Sequence, residues 1–519
     1  MPFKDYTLKN TRNIVFTEDQ NEIVDFLIKR QWAFNLAQTG FGKTLTSLSA
    51  YVHKFLTAEK THCVIVIPVS AVKPFTDTIG NIIRAPYNIF TSEKKRTMDN
   101  ALFSIFTYSA LSNGLFTKSS RKRITNDALD FLFDLKRTHE NLWLIADEAH
   151  ALQNTSTAQY KTINLIKKLM SGGWFLTATP ILNDIDGLFN MVDLVIPGYF
   201  GNILDFSKDY KIIRTEKIWV KDRMGKAVQR VIPETIGFKN LDVLKERFSK
   251  IGIVKSKTYN VKFNYRSTKL SEGMLKYYKW AANGIFSGTE VNKKSGRRTK
   301  DAELKETQDA AGARLHDLQR VVSNSHPKFK AIKDPDLVTE KELLLIRTTE
   351  EVISRNEATL IFFSYRDSLD RVKYILERIK AKYSIAKILE VSGDVSQSQR
   401  KLVEDAITPG SVVLITTAGT ESMNLQKANN IIFYEIPFSL RQFVQGIGRI
   451  TRMDSKYNEF NVYILEAEGT IDTYKKLRLV ANAEPIKAVI GGTNALPAEQ
   501  LVLMLADKKD MKNEYLWRT

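Results

Sequence analysis

Three short clusters in this chain have residue types and spacing suited to a nucleoside triphosphate. The first is Ala37-Gln-Thr-Gly-Phe-Gly-Lys-Thr44, which follows an apolar run and opens an amphipathic stretch. Gly40 and Gly42 let the backbone around Thr39 curl its N–H groups toward phosphate oxygens, while the helix that begins there directs its positive end at the same anion. Lys43 then meets the β- and γ-phosphates, and the Thr44 hydroxyl ligates Mg²⁺. Ala37 stands where such a phosphate loop usually has its first glycine. The second cluster, Leu142-Trp-Leu-Ile-Ala-Asp-Glu-Ala-His150, ends an apolar strand in an acidic pair, at the edge of a sheet where a crevice forms. Asp147 is expected to hold the metal through water, and Glu148 to orient and deprotonate an attacking water. The third, Gln442-Phe-Val-Gln-Gly-Ile-Gly-Arg-Ile-Thr-Arg452, sets Arg449 and Arg452 three positions apart, on one face if the segment is helical. A guanidinium keeps its charge and presents a rigid fork, so both are candidate arginine fingers for charge developing on a phosphoryl group. Phe175-Leu-Thr-Ala-Thr-Pro180 adds two hydroxyls, Thr177 and Thr179, and is informative because it follows the phosphate loop and the acidic pair in order.

Residues of this kind need sheets to hold them. From about residue 30, short apolar runs rich in β-branched residues alternate with longer amphipathic stretches, the pattern of βα units on a parallel sheet. The runs Trp32 to Ala37, Cys63 to Ile67, Leu102 to Phe106, Leu142 to Ala146 and Trp174 to Thr177 predict one sheet. Thr359 to Phe363, Ile388 to Val391, Val412 to Thr416, Ile431 to Tyr434 and Val462 to Leu465 predict a second. The expected division is a first ATP-binding lobe over 1–200, an intervening region over 201–355, a second lobe over 356–481 and an extension over 482–519 that carries no assignable motif. Within the intervening region, Ile218 to Ile232 has apolar arms around a Gly-containing turn and reads as a long β-hairpin. Phe286 to Ala313 is polar and carries Lys293, Lys294, Arg297, Arg298 and Lys300, which suits either a solvated loop or a phosphate-contacting element.

The bulk composition narrows the partners. The 519 residues are too many for one core and suit two or three domains. Seventy-seven Lys and Arg against 58 Asp and Glu give a net charge of +19, which favours polyanions because each neutralised phosphate releases counterions. A single cysteine, Cys63, rules out an internal disulfide or a cysteine-based zinc cluster. No long uncharged apolar run and no apolar N-terminal stretch are present, so a cytoplasmic location is expected.

Taken in order, these segments resemble the superfamily 2 helicases and translocases from about residue 13 to residue 475. Phe16-Thr-Glu-Asp-Gln20 looks like the adenine-reading motif, making Gln20 an ATP contact together with Gln445. Val66-Ile-Pro68, Thr107-Tyr108, Phe362-Phe-Ser-Tyr365 and Thr416-Thr-Ala-Gly-Thr-Glu-Ser-Met-Asn-Leu-Gln426 look like its strand-contacting motifs, which assigns nucleic-acid contact to Pro68, Thr107, Tyr108, Ser364, Thr416, Thr417 and Asn424. His150, Thr177 and Thr179 occupy the positions that couple the two activities. Asp147 to Asn154, Thr179 to Asn183, Asn324-Ser-His-Pro327 and Glu468-Gly-Thr-Ile-Asp472 are similar to the Swi/Snf branch, although Ser422 and Met423 stand where that pattern has Gly and Leu. The resemblance implies an α/β fold of two tandem RecA-like doubly wound parallel-sheet domains with a helical and hairpin region between them. It implies ATP and Mg²⁺ as cofactors, arginines that act from the second lobe, and duplex or branched DNA as the track. A compact bacteriophage-type branch-migration helicase is the expected subtype, working in the host cytoplasm. An RNA helicase or a non-unwinding nucleic-acid binder that keeps the motor fold are the alternatives.

Overall fold

The computed structural model describes residues 15–38, 41–55, 61–92, 94–113, 126–178, 180–181, 185–221, 227–255, 259–282, 315–324, 337–392, 397–417, 423, 425–451 and 455–486. The chain divides into two compact units at Lys257/Thr258. In the first, the strands β1 (Trp32–Asn35), β2 (Thr61–Ile67), β3 (Tyr87–Phe90), β4 (Lys95–Arg96), β5 (Phe103–Thr107), β6 (Asn141–Ala146) and β7 (Gly172–Leu176) form a sheet. It is completed by β10 (Gly252–Ile253), and its spatial order is β10-β1-β7-β6-β2-β5-β3-β4. All neighbours are parallel except β3 and β4. β2, β5 and β7 are buried throughout, which is why they are continuous apolar runs rather than alternating ones.

Because β1, β7 and β6 are neighbours, their carboxyl ends deliver the phosphate loop, Thr177 and the acidic pair side by side. The helices that matter for the site are α1 (Glu18–Ile28), α2 (Lys43–Lys54) and α3 (Tyr108–Ser112). A further helix, α4 (Ile203–Tyr210), packs against β8 (Lys211–Lys221). Among the described residues β8 pairs with β9 (Ala227–Phe238) alone, in a separate antiparallel ribbon longer at both ends than the expected hairpin.

In the second unit β11 (Asn260–Thr268), β12 (Thr359–Phe363), β13 (Lys387–Val391), β14 (Ser411–Thr416), β15 (Asn430–Phe433) and β16 (Glu459–Ala467) form an all-parallel sheet in the order β11-β16-β15-β12-β14-β13. The helices α5 (Glu340–Ser354), α6 (Arg366–Ile379), α7 (Leu440–Ile447) and α8 (Ile471–Ile486) accompany it. Leu345, Val352, Ile361, Leu369, Leu414 and Ile432 lie in one apolar core between α5, α6 and the sheet. α7 lies close on β15 because position 446 is glycine: a Cβ there would come within 3.1 Å of the Phe433 ring.

A buried polar network joins distant stretches of this unit. Lys341 and Asp472, both fully buried, pair at 2.5 Å, Gln319 donates to Asp472 at 3.0 Å, and Lys475 donates to Gln319 at 2.6 Å. Removing one member would strand a buried charge, so the network specifies packing more than it adds net stability. Strands β3, β4, β10 and β11 are absent from the sequence-based expectation. β10 and β4 are two residues long, too short for any pattern, and Asn260 to Thr268 is a polar edge strand. Among the described residues no helix is long and apolar enough to cross a membrane.

Candidate functional site

The phosphate loop is built on a buried polar residue. Asn35, last in β1, is fully buried; its amide donates to Ser47 Oγ at 3.1 Å and Thr46 Oγ1 at 3.3 Å, and its carbonyl oxygen accepts the Ala37 N–H at 3.2 Å. Both ends of the loop are thereby tied to one side chain. Gly42 caps α2 in the left-handed region (φ 86°, ψ 29°), where a residue with a Cβ is strained. Lys43 follows, and its Nζ donates to the Ala37 carbonyl at 2.8 Å across the mouth of the loop. Thr44, next along, heads the helix half-buried. Gln20 sits at the third position of α1 in a capping box with Thr17, and its Nε2 donates to the Phe41 carbonyl at 3.3 Å. The adenine-motif glutamine and the phosphate loop are therefore in contact. Thr39 and Gly40 lie outside the described residues.

The acidic pair stands at the end of β6. The Asp147 N–H extends the ladder by donating to the Val66 carbonyl at 2.9 Å, and its Oδ1 accepts the Glu148 N–H at 2.9 Å. Glu148 itself occupies the left-handed region (φ 53°) without being glycine, a conformation that costs energy and turns its side chain away from the strand direction. Its Oε2 lies 3.0 Å from Nδ1 of His150, and the same Nδ1 lies 3.2 Å from Thr177 Oγ1. The Thr177 N–H in turn donates to the Asn35 carbonyl at 3.1 Å. A continuous polar path thus runs from the base of the phosphate loop through Thr177 and His150 to Glu148. Burial, and next the neighbouring Glu148 charge, hold the Asp147 carboxyl well above the usual carboxylate range, while the Lys43 ammonium pulls it down. Lys43 and the acidic pair thus follow β1 and β6, the strands on either side of β7 in one sheet, within electrostatic reach of each other. Asp147 and Thr44 offer oxygen donors, the chemistry a hard divalent cation takes when phosphates and water complete its shell. Among the described residues no cluster of three or more His, Cys, Asp or Glu surrounds a metal position.

The residues expected to touch a strand fall in several environments. Pro68 is half-buried and caps the short 3₁₀ turn Val69–Ala71. Thr107 and Tyr108 are buried at the carboxyl end of β5. Thr107 caps α3 through the Ala110 N–H at 3.2 Å, and the Tyr108 hydroxyl donates to the Asp147 carbonyl at 2.9 Å. The Tyr108 hydroxyl thereby braces the acidic turn. Ser364 and Thr417 are half-buried, whereas Thr416 is buried at the end of β14. Asn424, Thr179 and Arg452 lie outside the described residues.

The helix expected to carry both arginines ends at Ile447, with Gly448 as its C-cap. Arg449 therefore sits in the turn beyond α7, its Nη1 donating to the Met423 carbonyl at 3.3 Å and its own carbonyl accepting the Leu425 N–H at 3.2 Å. Gln445 is half-buried on α7.

Two structural residues escaped the sequence reading although a signal existed. Glu435 follows the apolar run of β15 just as Asp147 follows β6, and it is fully buried. It accepts the Ser364 and Tyr365 N–H groups at 2.7 and 3.2 Å and the Ser368 hydroxyl at 2.5 Å, a carboxylate set on the positive end of α6. Gln153 donates to the Pro180 carbonyl at 2.7 Å and holds the segment after β7.

Comparison with known proteins matches residues 20–298 to the SNF2-related domain and residues 341–454 to the helicase conserved C-terminal domain. The chain is 23% identical over 361 residues to an uncharacterized ATP-dependent helicase, YqhH, of Bacillus subtilis, covering 67% of this chain and 59% of that protein. It is 22% identical to the human DNA repair and recombination protein RAD54B, covering 74% and 43%, and 23% identical to the transcription regulatory protein SNF2 of Saccharomyces cerevisiae, covering 64% and 20%. In each case it spans less than two thirds of the relative's length. A Sulfolobus solfataricus SWI2/SNF2 ATPase core solved with double-stranded DNA aligns over 98% of both chains at 15% identity and a TM-score of 0.37. With the SNF2-related domain matching more than half of its length and the helicase C-terminal domain following, the chain belongs to the SNF2-related family, the Swi/Snf-like branch of superfamily 2, and carries two RecA-like units.

Proposed function

We propose that the protein couples ATP hydrolysis to movement along duplex DNA and remodels branched DNA, forks and four-way junctions among them, as a compact bacteriophage-type branch-migration helicase serving replication, recombination or repair. The observation that carries the ATPase part is the polar path linking Asn35, Thr177, His150 and Glu148 beside Lys43 and Asp147. In this reading Gln20 reads the adenine, and Lys43 leaves the Ala37 carbonyl for the β- and γ-phosphates, helped by the loop N–H groups around Thr39, Gly40 and Gly42. Glu148 takes the proton of the attacking water. Its neighbour His150, with the ring proton on Nδ1, donates to the carboxylate and fixes its orientation. When bound, Mg²⁺ supplies charge neutralisation at the phosphates, with Thr44 and, through a water, Asp147 as the residues that hold it. Arg449 and Arg452 supply positive charge for the transferring phosphoryl group, and Gln445 assists in nucleotide binding. In the same reading Pro68, Thr107, Tyr108, Ser364, Thr416, Thr417 and Asn424 contact the nucleic acid, and His150, Thr177 and Thr179 couple that contact to hydrolysis.

DNA as the track is supported by the +19 charge and by the likeness to the human and mouse DNA repair and recombination proteins RAD54B. An archaeal protein named as a putative ATP-dependent RNA helicase matches over 35% of the chain and keeps RNA as the rival. The deciding experiment compares ATPase stimulation by single-stranded DNA, linear duplex, forked DNA, four-way junctions and RNA. Strongest stimulation by junctions or forks is expected. Strongest stimulation by RNA replaces the track, and hydrolysis unmoved by every nucleic acid leaves a non-motor binder.

A further inference from the structure

The end of the first unit returns to the nucleotide site. Three alternate N–H groups along β1 and into the phosphate loop, those of Phe34, Leu36 and Gln38, donate to the carbonyls of Ile251, Ile253 and Lys255, each at 2.8 Å. Segment 251–255 therefore continues past β1 as a template for the first residues of the loop. At its last rung the Lys255 side chain reaches the other half of the site: Nζ lies 2.8 Å from Asp19 Oδ1 and 2.5 Å from Glu22 Oε2 on α1. Those two carboxylates flank Gln20, whose amide touches the Phe41 carbonyl and stands 3.0 Å from where a Cβ on Gly42 would be. One residue thus holds the loop by its carbonyl and the glutamine helix by its ammonium.

We infer that Lys255 is a positioning residue for nucleotide recognition, clasping α1 to the phosphate loop so that Gln20 meets the adenine edge in register with the bound phosphates. The inference rests on the ATPase reading above. Asp19 and Glu22, three positions apart, repel each other when nothing bridges them, and Lys255, only 21% exposed, is the cation that joins them. An ion pair whose carboxylates are half exposed, at 49% and 55%, contributes little to global stability. Its effect is local: with the ammonium gone, α1 shifts against the loop, and the base is read less well while the phosphates are still held.

The test uses Lys255→Ala, Lys255→Arg and the double variant Asp19→Asn/Glu22→Gln in the full chain, with steady-state hydrolysis of ATP and GTP at saturating nucleic acid. Lys255→Ala and the carboxamide pair are each expected to raise KM for ATP by about three- to tenfold, the range set by one to two partly exposed ion pairs. The preference for ATP over GTP should shrink by the same factor with kcat little changed, and Lys255→Arg should restore both. Equal loss for ATP and GTP, an unchanged KM, or a parent protein with no purine preference overturns the inference. A parent protein without turnover refutes the ATPase reading instead. The clasp is then judged from the melting shifts produced by ADP and GDP, where loss of an ADP-over-GDP difference in Lys255→Ala supports it and an unaltered difference overturns it.

Discussion

Replacing His150 by Ala removes a ring, only 2% exposed, that stands between Glu148 Oε2 at 3.0 Å and Thr177 Oγ1 at 3.2 Å. A buried hydrogen bond to a charged group is worth roughly 1.5–3 kcal/mol. The Glu148 side chain is 39% exposed, so water recovers part of this, and about 1–2 kcal/mol is the fair figure for lost orientation. If the ring aims the general base, that energy enters the barrier and lowers kcat by roughly 5- to 30-fold. KM for ATP should stay put, because Lys43 and Gln20 are held by other contacts. His150→Asn places an amide N–H close to where the ring Nδ1 stood and should recover most of the loss. Steady-state ATPase at saturating nucleic acid reads both constants, and a melting curve separates the expected loss of about 1–3 kcal/mol in stability from the catalytic effect. An unchanged kcat, or a raised KM with kcat intact, would refute the orienting role.

Lys43→Ala and Glu148→Gln should each abolish ATP turnover while DNA affinity, measured by anisotropy, stays near the parent value; wild-type hydrolysis by either variant ends the catalytic assignment. Gly42→Ala should weaken nucleotide binding sharply, since its backbone is left-handed and the new Cβ meets Gln20 at 3.0 Å; undiminished binding would show that the loop tolerates another geometry. Burial, and secondarily His139, depress His62 from its ordinary 6.5 to about 3. It is neutral in the fold and protonated in the unfolded chain between those values, so its contribution is full above pH 6.5 and is lost as pH falls toward 3. His62→Gln should flatten that acid slope in melting experiments, and an unaltered slope argues against it. Deleting residues 218–232 of the β8–β9 ribbon should leave ATPase running but uncouple it from strand separation; unchanged unwinding would exclude a wedge or duplex-gripping role.

Much of the site was legible because its chemistry is local. Lys43 heads the helix that follows β1, and Asp147 and Glu148 end β6, so the order strand, turn, charged residue already places them at a sheet's carboxyl edge. The two parallel sheets were legible for the same reason: strands buried on both faces are written as short continuous apolar runs. Strand ends moved by a residue or two where tertiary bonds intervened, as at Asn35, whose side chain turns the chain before Ala37.

What pattern alone left open is everything set by strand order. Nothing near Tyr108 announces that its hydroxyl would hold the carbonyl of Asp147, and nothing near Lys255 announces partners on a helix 236 positions earlier. Likewise Lys341 and Asp472 meet only because α5 and α8 are brought together in the fold. Side-chain periodicity records which face of an element is dry, and glycine records where the backbone must bend. Which elements become neighbours depends on how whole faces pack. That decides whether a polar residue ends as a surface contact, a helix cap or a clasp between two halves of a nucleotide site.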